Sequence, residues 1–387
     1  MAVKEKLQLK ISGKNIQKPL LLATLFTGSK EETFKDLFKD VIISTLPERE
    51  IAVIKATTGK EYIKIAFKLE EPVDEKIDIR MGADQVKRLT SLLENLTLEI
   101  NENTYTAKSN KTKIKLAKLP PQPLIEQMEF LDVKENESQK TASIEGQKLY
   151  NLLKKVSLVA EQEPVRITFS EKGILVQSVN SAKSLACINE EPFPCKVETT
   201  VFLARLSLQR MLTFAKAFKE KNINLYVSKD NTRMILETPI SMLIIFLDAE
   251  GTPDISGLAQ TIESTRDESI ILKAREIMNA IELIKTVDPT GTVTTEIEVE
   301  NEKLKLKTIG SQMGTVEEEV EVIQENKKKL KLHLSPKLLE KSITTVTEDL
   351  EENIVIKIKE EKEKGGVFLI SKEENEDLKT IFAGITM

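Results

Sequence analysis

The chain is poor in aromatic residues, cysteine and histidine, and these shortages exclude several kinds of site. Its 387 residues include no Trp, 4% aromatic residues, two cysteines (Cys187 and Cys195) and one histidine, His333. Platforms that stack single-stranded nucleic acid need interleaved aromatic side chains, so this mode of binding is disfavoured. A structural zinc site needs a full set of nitrogen and sulfur ligands, which so few side chains cannot supply. We therefore expect no metal or other cofactor, and a pair of reduced cysteines.

Long apolar runs are also missing. No stretch approaches the roughly 20 apolar residues of a membrane-spanning helix, and the N-terminal sequence MAVKEKLQLK lacks the apolar core of a secretory signal. We expect a cytoplasmic protein that does not contact a membrane.

Catalytic motifs are absent as well. Neither GxxxxGK[ST] nor GxGxxG occurs in the sequence, which disfavours the common nucleotide-binding loops. The single His333 lies in the alternating stretch KLKLHL, so no Ser-His-Asp or Cys-His pairing is favoured. We predict that the chain is not an enzyme.

A repeated pattern of elements is present, and it is clearest in residues 139–189. A short strand at 141–145 ends at Gly146, and a helix follows. Strands are predicted at 165–169, 174–179 and 184–188. The apolar residues of the helix recur on a single stripe, namely Leu149, Leu152, Val156 and Val159.

The same order of strand, helix and three strands recurs six times, with starts near residues 7, 76, 141, 199, 269 and 329. In the first copy we expect the helix to start near Lys18, because proline is tolerated in a first turn and Pro19 follows. Two polar or proline-rich stretches interrupt the series, and we predict linkers there, near 120–138 and 249–267. The predicted fold is α+β with three tandem domains, at 1–122, 139–248 and 268–387. Each domain holds two β-α-β-β-β units with helices on one face of antiparallel sheets.

The predicted helices carry cations and amides on the stripe that the sheets do not use. These side chains are Lys87, Arg88, Lys148, Lys155, Gln209, Lys216, Lys273, Lys337 and Lys341. No base-reading motif accompanies them, so any contact with nucleic acid should be to phosphate and independent of sequence. The other interpretation is that they are ordinary solvated helix faces on a chain whose net charge is −5.

Local sequences add a resemblance that runs through the whole chain. The segments are NIQKPLLLAT in the first helix, EPVRITFSEKGILVQSVNSAKSLAC in the middle, GTPDISGL in the second linker and IFAGITM at the end. In order and spacing the chain resembles the bacterial sliding DNA clamp, the DNA polymerase III beta subunit family. It departs from that family's Asp-Gly-His-Arg-Leu at residues 181–185, which read SAKSL, and lacks its terminal Met-Pro-Met. A divergent cellular or viral clamp would account for both departures.

The resemblance implies three tandem DNA-clamp domains and a role in DNA replication. Two copies would form a homodimeric ring around double-stranded DNA, with the nine cations and amides facing it. The ring would act as a processivity factor for the replicative DNA polymerase, and would also bind the clamp loader and other clamp-motif proteins. The alternative is a repeat scaffold that binds proteins without encircling DNA. The resemblance places a hydrophobic pocket for partner peptides at Phe169, Asn180, Ala182, Leu185, Pro253, Leu258, Ile381, Phe382 and Ala383.

Overall fold

The fold of the chain is given by a computed structural model. It describes residues 8–9, 13–28, 38–46, 50–69, 73, 76–92, 97–100, 104–108, 112–117, 119, 138–264, 269–290, 294–300, 303–323, 330–361 and 365–384. The first predicted linker therefore falls almost wholly outside the described residues, as do residues 385–387 of the C-terminal segment IFAGITM.

Seven helices occur in these ranges. They are α1 (Gly13–Thr24), α2 (Ala83–Leu92), α3 (Gly146–Val159), α4 (Arg205–Ala217), α5 (Ser256–Glu263), α6 (Ala274–Val287) and α7 (Pro336–Val346). Among the described residues, no helix combines the length and the apolar character that crossing a membrane would require.

Twenty-four strands complete the described structure, four in each of the six repeats. In the first three repeats they are β1 (Gln8–Leu9), β2 (Asp40–Leu46), β3 (Ile51–Thr57), β4 (Glu61–Lys68), β5 (Asp78–Gly82), β6 (Thr97–Ile100), β7 (Thr104–Lys108), β8 (Lys113–Ala117), β9 (Ser138–Glu145), β10 (Val165–Phe169), β11 (Ile174–Val179) and β12 (Leu185–Glu191). In the last three they are β13 (Thr199–Leu203), β14 (Asn222–Ser228), β15 (Arg233–Thr238), β16 (Ser241–Phe246), β17 (Ser269–Lys273), β18 (Thr294–Glu300), β19 (Lys303–Ile309), β20 (Glu317–Glu321), β21 (Leu330–Leu334), β22 (Asn353–Glu361), β23 (Gly365–Lys372) and β24 (Leu378–Ala383). The predicted β-α-β-β-β order and the α+β class are confirmed.

Consecutive repeats exchange their first strands. β1 pairs with β6 while β5 pairs with β2, and the same exchange links β9 with β14, β13 with β10, β17 with β22 and β21 with β18. Every one of these pairings is antiparallel. The exchange ties the repeats together two by two, because neither repeat of a pair can complete its sheet alone.

The chain divides into two compact units. The first comprises Met1–Leu149 and Gln209–Leu247, and the second comprises Tyr150–Leu208 and Asp248–Met387. The first unit holds sheet A, in the order β1-β6-β7-β8, and sheet B, in the order β5-β2-β3-β4-β16-β15-β14-β9. The second unit holds sheet C, in the order β13-β10-β11-β12-β24-β23-β22-β17, and sheet D, in the order β20-β19-β18-β21. The predicted three-domain boundaries stay a prediction.

Helix stripes and strand alternation form the cores as predicted. In α3 the four apolar stripe residues are each at most 2% exposed. At the start of α7, Ser335 is the N-cap residue and its side chain accepts a hydrogen bond from the backbone N–H of Leu338, while Pro336 occupies the first turn. These local signals agree with the structure for α3 and α7.

Four local features differ from the predictions. Helix α1 begins at Gly13, so Pro19 lies inside it; the helix forgoes one backbone hydrogen bond there while Ile16 and Leu20 remain buried. The second predicted linker contains helix α5. Strand β24 (Leu378–Ala383) extends into the C-terminal segment IFAGITM, which the sequence predicts to be a short apolar tail. The spacing of Leu339, Ile343, Val346 and Leu350 predicts an inward stripe on the helix of the sixth repeat, but Leu350 lies beyond α7 and is 40% exposed.

Candidate functional site

The outer stripe of α2 and the exposed residues of α3 and α4 carry the predicted side chains of the first compact unit. Lys87 and Arg88 are exposed beside the buried Val86 and Leu89. The remaining three, all exposed, are Lys148, Gln209 and Lys216. This unit therefore presents cations and an amide on helix surfaces that do not pack on its sheets.

The second compact unit carries the other predicted cations. Lys273 is exposed at the N-cap position of α6, and Lys337 is exposed in the first turn of α7. Lys341 is half-buried, and its Nζ lies 3.2 Å from Glu161 Oε1. Glu161 also accepts a hydrogen bond from the Ser181 backbone N–H at 2.9 Å. That bond, opposed by partial burial, lowers the pKa of the Glu161 carboxyl, so Lys341 has an anionic neighbour within the protein.

Lys155 differs from the prediction that it is an exposed DNA-facing cation. Lys155 is only 8% exposed, and its ammonium donates a hydrogen bond to the Thr347 carbonyl oxygen at 2.9 Å. Thr347 is the C-cap residue of α7, where the last helix carbonyls lack partners within the helix and attract cations. Burial lowers the pKa of Lys155, and the Glu348 carboxylate partly offsets this. Lys155 thus caps α7 from α3 and does not share the exposed stripe of Lys148.

The predicted pocket residues are divided between the two faces of sheet C. Phe169, Leu185 and Phe382 lie on one face, because residues directly opposite in an antiparallel sheet share a face and Leu185 is opposite Phe382. The Ser178 side chain on this face donates to the Val156 carbonyl of α3, which identifies it as the helix side. The three residues are at most 1% exposed. They form the core under the helices and do not line an open pocket.

The opposite face of sheet C is covered in part by α5. Ala259 and Ile262 of this helix pack against a cluster whose sheet members are Val179, Ala186, Ile188, Leu369 and Ile381. Leu175, Ile255 and Val367 are partly buried around the cluster. Of the predicted pocket residues, only Ile381 belongs to this cluster. Leu258 of α5 is 39% exposed, and Pro253 and Ala383 are exposed.

A hydrogen-bonded turn joins β11 to β12 and positions two more predicted residues. The Asn180 Oδ1 accepts from the backbone N–H groups of Ser184 and Leu185, at 2.9 and 3.0 Å. Lys183 in this turn has φ 53°, in the left-handed region that few side chains adopt. Asn180 is therefore buried as the organiser of the turn, while Ala182 is exposed at its tip.

Three apolar residues around the α5 cluster are not among the pocket residues predicted from the sequence. They are Leu175, Ile255 and Val367. Leu175 and Val367 occupy alternate positions within strands, and Ile255 immediately precedes α5. The period of two in the strands was a usable signal. It was not sufficient, because α3 packs on one face of sheet C and α5 on part of the other, so the strands read as nearly continuous apolar runs.

The two cysteines of the second compact unit are free and buried. Burial raises the pKa of Cys187 to about 12 and also raises the pKa of Cys195. Thiols in such surroundings are poor nucleophiles. The prediction of reduced cysteines agrees with this arrangement.

Known structures share this architecture over the full chain. The chain superposes on the DNA polymerase III beta subunit of Thermotoga maritima with a TM-score of 0.83 and 15% sequence identity, covering 98% of this chain and 99% of that one. For a sliding clamp of Pseudomonas aeruginosa, a DNA polymerase III subunit beta, the TM-score is 0.80 and the identity 14%, over 99% and 100% of the two chains. For the DNA polymerase beta subunit of Streptococcus pyogenes the values are 0.78 and 13%, over 98% and 100%.

Comparison of structures finds similar proteins, but comparison of sequences does not. No protein-family model and no curated protein sequence matches the chain. The likeness therefore rests on the arrangement of helices and strands, and its low identity establishes the fold alone. The chain has the fold of the bacterial DNA polymerase III beta sliding clamps.

Proposed function

We propose that the chain is a sliding clamp, a processivity factor for a replicative DNA polymerase in the cytoplasm. The observation that carries the proposal is the full-length likeness in fold to sliding clamps. Exposed cations on helices of both compact units support it, among them Lys87, Lys216, Lys273 and Lys337. They supply the charge that sequence-independent contact with phosphate requires.

In this role the protein holds double-stranded DNA by enclosing it. Two copies form a homodimeric ring, and a closed ring stays on a circular duplex without a tight contact. Weak phosphate contacts then permit sliding, because no base is read and no single contact holds the ring in place. The function needs no bond to be made or broken, so no side chain is given a catalytic role.

Partners dock on the α5 side of sheet C. The exposed Leu258 and Pro253, together with the partly buried Leu175, Ile255 and Val367, offer an apolar surface there. Apolar surfaces of this kind suit short peptide motifs. We assign this surface to the replicative polymerase, the clamp loader and other clamp-motif proteins.

Topological retention on DNA tests the ring. Protein is dissociated in concentrated salt, diluted into low salt with nicked circular plasmid, and passed over a sizing column. We expect the protein to elute with the circle and to be released when a restriction enzyme linearises it. Equal retention on circular and linear DNA, or retention on neither, would overturn enclosure. Light scattering should give twice the mass of the 43.6 kDa chain.

Charge reversal separates the clamp from the alternative, a protein scaffold that does not encircle DNA. Lys148→Glu combined with Lys337→Glu changes two exposed side chains. In a clamp this variant should load onto the circle less efficiently than the parent while remaining a dimer, and the rings that do load should still be released only when the circle is linearised. In a scaffold, DNA plays no part and neither variant nor parent should be retained.

Primer extension tests the partner surface. With the host replicative polymerase on a primed circle, Leu258→Asp should shorten the products while leaving the ring retained on DNA. The matched control is Ile240→Asp, since Ile240 is 49% exposed in the other compact unit and should have no effect. Equal effects of the two substitutions would remove the assignment of the docking surface.

A further inference from the structure

Two lysines on one face of α7 differ in their neighbours. Lys337 and Lys341 are one helical turn apart, so they lie on the same face of the helix. Lys337 is exposed, and among the described residues no carboxylate forms an ion pair with it. Lys341 is half-buried, and its Nζ lies 3.2 Å from Glu161 Oε1. The two lysines therefore offer the same charge on one surface, but only Lys341 has an anionic partner.

Glu161 is held in place from a second side. It follows α3, and its Oε2 accepts a hydrogen bond from the backbone N–H of Ser181 at 2.9 Å. This hydrogen bond is the largest cause of the lowered pKa of the Glu161 carboxyl; Lys341 adds to the effect, and partial burial opposes it. The carboxylate is therefore ionised at neutral pH and is fixed between α7 and the turn that joins β11 to β12.

The Glu161 carboxylate presents to Lys341 what a DNA phosphate would present, an anionic oxygen at hydrogen-bonding distance. A phosphate that binds Lys341 must replace this oxygen, and the carboxylate left behind must be solvated or take up a cation from solution. An unpaired lysine such as Lys337 gains the full release of counterions from DNA when it neutralises a phosphate. For Lys341 the cation taken up by Glu161 offsets that release. A phosphate contact of Lys341 is thus weaker than one of Lys337.

We propose that Glu161 is an internal competitor of DNA phosphate for Lys341, and that it limits how tightly the clamp holds DNA. The inference rests on the proposed contact between helix cations and duplex DNA, and it assigns Glu161 a part in that contact. Partly exposed ion pairs are weak, so Glu161 reduces the contact of Lys341 without abolishing it. A weaker contact suits a ring that slides, because retention comes from enclosure and each phosphate is then exchanged easily.

Removal of one negative charge tests the competition. Glu161→Gln keeps the size of the side chain and leaves an amide oxygen to accept from the Ser181 N–H, while it removes the charge that attracts Lys341. Affinity for a short linear duplex is measured by fluorescence anisotropy over a range of salt concentrations. We expect the affinity to rise about two- to fivefold. The slope of log affinity against log salt should steepen by about 0.9 for each protomer whose Lys341 contacts a phosphate.

The matched control is Glu163→Gln. The Glu163 side chain is 37% exposed against 39% for Glu161, and its carboxylate lies 3.8 Å from Lys183 instead of pairing with Lys341. The control therefore removes the same charge from the same segment, and it should leave the salt slope unchanged. Lys341→Gln provides a second check. It should abolish the gain when combined with Glu161→Gln, and it should have a smaller effect in the parent.

The possible results separate the competition from the clamp function. The competition is overturned if Glu161→Gln binds DNA no more tightly than Glu163→Gln, or if its gain persists when Lys341→Gln is added. With either result the clamp function stands, provided that the parent is retained on circular DNA and released by linearisation. If neither the parent nor Glu161→Gln binds duplex at any salt concentration, both proposals fall. Circular dichroism checks that each variant is folded, and a gain in affinity does not arise from unfolding.

Discussion

Two lysines on α3 have different environments: Lys155 is buried and caps α7, whereas Lys148 is exposed. Substituting each one tests whether only Lys155 contributes to stability. Lys155→Met removes a buried ammonium that donates to the Thr347 carbonyl oxygen at 2.9 Å. A hydrogen bond to a charged group contributes about 1.5–3 kcal/mol, and relief of the ammonium's desolvation returns part of this. We expect the free energy of unfolding to fall by about 1–2 kcal/mol. Lys148→Met changes an exposed residue of the same helix, and we expect a change within about 0.5 kcal/mol.

The pH dependence of this difference has a definite sign. The pKa of Lys155 is lowered in the folded protein from its ordinary value of 10.5. Between the lowered pKa and 10.5 the unfolded chain therefore binds more protons, so this group makes stability rise with pH in that window. Lys155→Met removes that rise. The stability deficit of the variant relative to the parent should consequently be larger above pH 10.5 than at neutral pH.

Urea unfolding, monitored by circular dichroism, measures the change in stability. The salt dependence of DNA binding measures whether each lysine contacts a DNA phosphate. Lys148→Met should reduce the slope of log affinity against log salt by about 0.9 for each phosphate that the lysine neutralises in the parent. Lys155→Met should leave that slope unchanged. The reasoning is refuted if Lys155→Met reduces the slope as Lys148→Met does and leaves unfolding unaltered.

Three further predictions concern buried groups. Glu61 is 1% exposed and its carboxylate lies 2.8 Å from Arg210, so Glu61→Ala should cost about 3–5 kcal/mol in urea unfolding, and less when combined with Arg210→Met. Cys187, whose pKa burial raises to about 12, should react with a thiol reagent only after denaturation; rapid labelling of the folded protein would contradict its burial. A Cβ on Gly146 would lie 2.2 Å from a backbone carbonyl oxygen, and one on Gly257 would meet nothing within 4 Å. Gly146→Ala should therefore destabilise by about 1–3 kcal/mol, while Gly257→Ala should be neutral or slightly stabilising.

Helix α3 shows what the sequence could and could not establish about the candidate DNA face. The stripe of Leu149, Leu152, Val156 and Val159 predicted the helix and its buried side. Lys155 follows Leu152 by three residues and precedes Val159 by four, so helical geometry also allows it on the buried side. Its charge led to the opposite prediction. Only the position of Thr347, 192 residues later in the chain, shows what partner makes its burial favourable.

The proposed docking surface was harder to predict for a related reason. β12 reads Leu-Ala-Cys-Ile, apolar on both faces, because α3 covers one side of sheet C and α5 the other. A shift of one residue moves every side chain of a strand to the opposite face. Residues placed by position alone, such as Phe382, therefore fell on the helix side while Ile381 joined the α5 cluster. Helix α5 itself was hidden in a stretch whose glycines and proline favour a linker.

The chain shares its fold with known sliding clamps although their sequences differ widely. The reason is that the fold of each repeat places few requirements on its sequence. Each repeat needs one apolar helix stripe, alternating strands and an exchanged first strand, and many different sequences satisfy these conditions. An identity of 15% over 98% of the chain is thus compatible with one architecture. Charge on exposed strands is far less constrained by folding, since surface substitutions have small effects on stability.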